Sequence, residues 1–296
     1  MSRVSRVAPG AESREGKRVR IASGGLTDVG RVRTNNEDCF QIVKPLGLYV
    51  LSDGMGGEAH GEVASAMAVE TVVRHCVEAE ANPAAPFFGQ PQRNWSDRTK
   101  RLSSAVYLAN REIFESAKQN TERRGMGATL TAAWIDGSKL SIAHVGDSRA
   151  YLLRGGALQQ LTNDHSLVAE QVRKGILTPA EAEQSEMQSV LTRALGAQAQ
   201  VEIDAEELGL FKGDLVLLCS DGLTRMVTEP EIAGTLQAET DPARAAAKLV
   251  ALANENGGAD NVTVLVIRLE SGFGDWFSRL RRVRKHANGN GSTGGN

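Results

Sequence analysis

Cysteine is scarce. The 296 residues hold three, Cys39, Cys76 and Cys219, widely spaced and without a Cys-x-x-Cys pair. That argues against a disulfide framework or a thiolate zinc site and favours buried free thiols. An excess of one charge sign is also missing: 34 Lys and Arg against 36 Asp and Glu give a net charge of −2. Aromatic residues make up 4% and are not interleaved with basic ones. The chain therefore has neither the field nor the stacking surface of a nucleic-acid binder. No apolar run reaches the roughly 18 residues that span a bilayer. The arginine-bearing N-terminus has no apolar h-region, so no signal peptide is expected and a cytoplasmic location is. A Walker Gly-x-x-x-x-Gly-Lys-[Ser/Thr] loop and a Gly-x-Ser-x-Gly elbow are both absent. What is present is an ordinary globular composition, 41% hydrophobic and 24% charged, long enough for one large domain or two small ones.

The pattern along the chain favours one domain. Residues 1–19 are polar and aperiodic and read as a disordered arm. Residues 20–270 read as the domain, and 271–296 as a basic amphipathic segment with a glycine-rich tail. Strand-like runs occur at 20–27, 38–43 and 48–53. Apolar residues at helical spacing over 62–78 (Val63, Met67, Val72, Val73, Val77) predict a helix. A proline-bearing loop follows, then a second helix capped by Ser96 or Asp97 and running to about Lys118. Strands over 127–135, 139–145 and 149–154 form a meander with hairpin signals at Asp136-Gly137 and Gly155-Gly156. The stretch 164–190 reads as mostly helical, polar and mobile. Strands near 201–207 and 214–220, helices near 229–237 and 242–254, and a strand at 261–269 complete the order. Helices in pairs and strands in hairpins argue against a doubly wound parallel sheet. They predict an α+β fold in which two packed antiparallel sheets are flanked by helix pairs.

One short word is written twice. Leu51-Ser52-Asp53-Gly54 and Cys219-Ser220-Asp221-Gly222 each end an apolar run. Asp147 follows the run Ile142–Val145, and Asp260 precedes the run Val262–Ile267. One Asp-Gly after a strand is an ordinary turn. Several carboxylates at the ends of core strands are unfavourable unless something positive neutralises them. With no matching basic residue in their motifs, they point to a hard divalent cation, Mg²⁺ or Mn²⁺. Gly54 and Gly222 would let the main chain approach an ion closely.

Two further segments carry possible chemistry. Thr27 to Asp38 sets Arg33 beside Glu37 and Asp38. It is either a surface hairpin with a salt bridge or a guanidinium that grips an anionic substrate. Asp53-Gly54-Met55-Gly56-Gly57-Glu58-Ala59 fits a loose dinucleotide fingerprint. That reading fails because Asp53 would face a pyrophosphate with like charge, and because a second helix follows where a parallel strand is needed. His144 lies within a strand-like run without His or Cys partners and reads as a core residue.

The sequence Arg33…Asn36-Glu37-Asp38, Asp53-Gly54-Met55-Gly56-Gly57 and Gly125-Met126-Gly127-Ala128-Thr129-Leu130 resembles the metal-dependent (type 2C) serine/threonine protein phosphatases. Gly146-Asp147-Ser148-Arg149-Ala150-Tyr151, Leu191-Thr192-Arg193-Ala194-Leu195-Gly196, Ser220-Asp221-Gly222-Leu223 and Asp260-Asn261-Val262-Thr263 continue the likeness in family order. The Asp-Gly-Met-Gly-Gly form is similar to the bacterial branch. The resemblance implies a four-layer α-β-β-α sandwich with two Mn²⁺ or Mg²⁺ ions at one edge. Asp53 would bridge them, the Gly54 carbonyl, Asp221 and Asp260 would be direct ligands, and Glu37 and Asp38 would act through water. Asp147 with Asp221 would hold a weaker third ion. Arg33 would bind the substrate phosphate, and metal-bound hydroxide would attack phosphoserine or phosphothreonine without a phosphoenzyme. The implied partners are phosphoproteins, with a bacterial serine/threonine kinase and its targets as the family-level expectation, and a monomer is expected.

The sequence departs from the family at two places. Met55 stands where eukaryotic relatives have a histidine proposed as general acid. Ser185-Glu186-Met187-Gln188 stands where many bacterial relatives carry His-Pro-x-Arg in a mobile flap, which puts a third-metal role for Ser189 in question. A silent phosphoprotein adaptor would lack some of the acids, and none of the matched acids is missing. A two-metal nuclease is disfavoured by the charge balance. Outside the likeness, Trp276, Phe277, Leu280 and Val283 share one face of a basic helix over 273–286, which either packs on the domain or docks on an acidic partner or anionic membrane.

Overall fold

The structure, a computed structural model, describes residues 20–56 and 60–270. The arm expected over 1–19 and the basic helix expected over 273–286 lie outside the described residues. Strands β1 (Ile21–Asp28), β2 (Asp38–Val43) and β3 (Leu48–Met55) lead into helices α1 (Gly61–Ala81) and α2 (Asp97–Gln119). A meander follows: β4 (Gly127–Ala128), β5 (Leu130–Asp136), β6 (Lys139–Val145), β7 (Arg149–Arg154) and β8 (Ala157–Gln160). Two short helices, α3 (Leu167–Arg173) and α4 (Pro179–Glu183), precede β9 (Asp204–Gly209) and β10 (Leu215–Cys219). Helices α5 (Asp221–Thr224), α6 (Glu229–Ala238) and α7 (Pro242–Glu255) and strand β11 (Val262–Leu269) complete the domain.

One sheet runs β1-β11-β10-β7-β8 and the other β2-β3-β5-β6-β9, with β4 paired to the end of β3; all the pairings are antiparallel. The central strands read as unbroken apolar runs because both of their faces are buried. On β11, Val262, Val264 and Val266 pack toward α5–α7, while Leu265, Ile267 and Leu269 meet the opposite sheet. On β3, Leu48 and Val50 pack under α1 and α2, while Tyr49 and Leu51 enter the inter-sheet layer. Helix, sheet, sheet and helix thus enclose three apolar layers, as the sandwich reading expects. Ser96 is the cap of α2, its hydroxyl accepting the Thr99 N–H at 3.3 Å.

Some element boundaries differ from expectation, each for a local reason. The strand expected over 127–135 breaks at Thr129, whose hydroxyl accepts the Asp53 N–H at 3.0 Å and lies 2.8 Å from Ser148 Oγ. The stretch 164–190 is less helical than expected. Gly175, at φ 69°, follows α3, and Pro179 starts α4, so helix is confined to 7 and 5 residues. The strand expected at 201–207 is shifted to 204–209, because Val201 and Ile203 pack against the α1–α2 layer. Strand β8 went unforeseen because Ala157-Leu158-Gln159-Gln160 carries little apolar pattern. Cys76 and Cys219 are buried free thiols, and Cys39, also free, is half-buried.

Candidate active site

Asp38 and Asp53 stand on neighbouring strands of one sheet. Asp221 begins α5 immediately beyond β10, Asp260 sits just before β11, and Asp147 lies between β6 and β7. These positions surround a cavity of about 420 Å³. Its lining includes Arg33, Glu37, Asp53, Gly54, Asp147, Asp221 and Asp260, which are all of the expected site residues except Asp38. Asp38 lies beneath, with one oxygen accepting hydroxyl hydrogens from Ser220 at 2.8 Å and Thr263 at 2.6 Å. Met55, Ser189, Arg225 and Asn261 also line the cavity.

The carboxylates are electrostatically unsettled. Burial, with the hydroxyls of Thr263 and Ser220 working against it and Asp221 reinforcing it, pushes Asp38 up to about 7. Burial and Asp221 push Asp147 up to about 7 as well. Asp53 is driven well above the usual carboxylate range by burial and by Asp38, Asp221, Asp147 and Asp260. Burial raises Asp221, although Arg225 opposes the shift. Burial also raises Glu37, against the pull of Arg33. Oδ1 of Asp38 and Oδ1 of Asp221 are buried with no hydrogen-bond partner.

Those orphaned oxygens test whether a cation fits. Buried acceptors without donors, in a group of acids that raise one another's pKa, are what a hard cation would satisfy. The fit is open rather than closed: among the described residues, no three His, Cys, Asp or Glu side chains already form a compact ligand group. The residues that could hold a metal are Asp53, Asp221 and Asp260 directly, Asp147 beside Asp221, and Glu37 and Asp38 behind them.

Packing by itself requires two of the glycines here. A Cβ on Gly54 would lie 2.0 Å from the Gly61 carbonyl oxygen, and one on Gly222 would lie 2.0 Å from that of Asn261. Close packing of backbone on backbone excludes a side chain at both.

Arg33 donates from Nη2 to Asp260 Oδ2 at 2.9 Å and remains half exposed at the mouth. The expectation that the acids have no basic partner within their motifs is corrected by Arg225. Four residues after Asp221, it places Nη2 2.6 Å from Asp221 Oδ2 and 4.0 Å from Asp147 Oδ2. It was missed because the i, i+4 spacing matters only once α5 is known to be a helix. Asn261 is the second omission. Its amide donates to the Val29 and Asn35 carbonyls at 3.0 and 2.9 Å, and its Oδ1 accepts the Glu37 N–H at 2.8 Å. It thereby fixes the loop that carries Arg33.

The segment 164–190 is pinned at its base. Arg149 grips Asp164 through Nε and Nη2, at 3.0 and 2.7 Å. His165 and Arg193 both meet Asp204, at 3.2 and 2.9 Å. His144 is a core residue as expected, its Nδ1 2.9 Å from Thr131 Oγ1. Further out, Ile176 and Met187 are exposed.

Residues 30–256 match the family model for protein phosphatase 2C. The serine/threonine phosphatase Stp of Listeria innocua is 38% identical over 244 residues, covering 81% of this chain and 93% of that protein. The Mycobacterium tuberculosis phosphatase PstP/Ppp superposes with a TM-score of 0.74 at 37% identity, covering 84% of this chain and 99% of that one. The PstP catalytic domain in complex with two manganese ions gives 0.71 at 36% identity, covering 84% and 98%. With its sheets, helix layers and strand-end acids arranged as described, the chain is a phosphoprotein phosphatase and belongs to the protein phosphatase 2C family.

Proposed function

We propose that this enzyme hydrolyses phosphoserine and phosphothreonine in proteins with two Mn²⁺ or Mg²⁺ ions held by its strand-end carboxylates. The observation that carries the reading is the group of buried acids with orphaned oxygens beside a half-exposed arginine. The two manganese ions of the related PstP domain support it. When bound, the ions would supply positive charge and a water made nucleophilic near neutral pH.

The chain's own groups do the rest. Asp53, Asp221, Asp260 and the Gly54 carbonyl would hold the ions. Asp38, locked through one oxygen by Ser220 and Thr263, keeps the other without a hydrogen-bond partner, and with Glu37 would act through water. Arg33 spends one N–H on Asp260 and has others left for the phosphoryl oxygens. Phosphoryl transfer needs chiefly positioning and charge neutralisation, so these groups suffice. Met55 has no proton to give, and the leaving serine or threonine oxygen takes its proton from solvent in the open cavity. No thiol attacks, because Cys39, Cys76 and Cys219 do not line the cavity and burial pushes all three up, Cys219 to about 12.

Residues 20–270 are the catalytic unit in this reading, a kinase-phosphorylated protein is the substrate, and the kinase acts in opposition. The test is phosphate release from a phosphothreonine peptide with Mn²⁺ and with a chelator. Release with Mn²⁺ and its loss on chelation are expected; equal rates in both would overturn the metal reading.

A further inference from the structure

Asp147 and Asp221 come from different parts of the fold, one between β6 and β7 and the other at the start of α5. Both are largely buried, and among the described residues Arg225 is the ion-pair partner of each. The Arg225 backbone N–H donates to the Asp221 carbonyl at 2.9 Å, so the root of its side chain is held by the same turn that carries Asp221. Its guanidinium borders the acidic cavity and also a wider groove of about 940 Å³ beneath α3 and α4. Positive charge is thus already built into the space between these two acids.

We propose that Arg225 is a fixed counter-cation occupying the gap between Asp147 and Asp221, so that this chain takes two divalent ions and excludes a third from that gap. The proposal rests on the two-ion reading above. A guanidinium cannot lose its proton in a protein and is weakly hydrated, so it neutralises buried carboxylates at any metal concentration. A divalent ion entering the gap would have to displace it or lie within a few ångströms of a like charge, which is unfavourable in a partly buried site. Arg225 acts here as a positioning residue that sets ion number.

The test counts ions on the metal-free full chain by calorimetric Mn²⁺ titration, with free Mn²⁺ followed by electron paramagnetic resonance. The wild type should saturate at two ions. Arg225→Gln, which keeps the bulk without the charge, should gain a third site at least about tenfold weaker. Arg225→Lys should return the count to two, and Arg225→Gln with Asp147→Asn should lose the third site again. Thermal melts establish which variants are folded, and Arg225→Ala serves if the glutamine variant is not. Equal counts in wild type and the uncharged variant, whether two or three, would overturn the role of Arg225. A wild-type count of zero would instead overturn the two-ion reading on which it rests.

Discussion

Asp38 on β2 and Asp53 on β3 are register partners, set directly opposite one another across an antiparallel strand pair. Carboxylates in that relation oppose one another's ionisation, and like charges directly opposite destabilise a sheet. The pair therefore works against the stability of the strands that carry it. Asp53→Asn should raise the unfolding temperature of the metal-free protein while removing on the order of 10²-fold or more of its turnover, the scale of losing one preorganised electrostatic group. Melting curves in chelator and phosphopeptide assays in Mn²⁺ check both halves. Near-wild-type activity would remove Asp53 from the site.

Arg33 divides its guanidinium between Asp260 and the cavity mouth. Hydrogen bonds to charged groups contribute about 1.5–3 kcal/mol. Arg33→Ala should thus lower kcat/KM for a phosphopeptide by roughly ten- to a hundredfold, mainly through KM. Unchanged kinetics would reduce the residue to a surface ion pair.

Asn261 joins the turn before β11 to the loop bearing Arg33 through bonds to Val29, Asn35 and Glu37. Asn261→Ala leaves those backbone groups unsatisfied, at about 1–3 kcal/mol. Urea unfolding should show that loss, and phosphopeptide KM should rise as the Arg33 loop loosens. An unshifted midpoint would mean that water replaces the amide.

His144 gives the protein an acid limit. Burial, then the neighbouring His165, push it down to about 4 from the ordinary 6.5. Between those values the unfolded chain binds more protons than the folded one, so stability rises with pH. Stability is complete above about 6.5 and falls by up to about 3 kcal/mol as pH drops toward 4. His144→Asn should flatten that part of the profile. Parallel unfolding profiles for the two proteins at pH 4–7 would refute it.

The segment 164–190 is held at its base and exposed at Ile176 and Met187. Its amides over 167–183 should exchange with solvent faster than those of β10, whose five residues are all buried. Mass-resolved hydrogen exchange makes the comparison, and equal protection would argue against a flap.

The strand-end aspartates were legible because each interrupts an apolar run where charge has no structural use. Helix pairs and hairpins revealed the two-sheet sandwich for a similar reason, since their periodicities follow directly from which faces are buried. Arg225 stayed hidden because its pairing depends on α5, a four-residue helix that looks like a turn in sequence. Asn261 stood inside a recognised motif, but its partner Val29 is 232 residues away, and no local pattern reports such a bridge. Strand β8 escaped because an edge strand with alternating exposure needs few apolar residues.

The bonds that hold Asp38 reach Ser220 and Thr263, 182 and 225 residues downstream. A chain emerging from the ribosome therefore exposes Asp38 and Asp53 long before the hydroxyls and acids that complete their surroundings have been made. Because β11 lies between β1 and β10, the five-stranded sheet closes only when the last strand arrives. A product stopped short of residue 260 lacks Asp260, Asn261, Thr263 and the whole of β11, and is expected to be inactive.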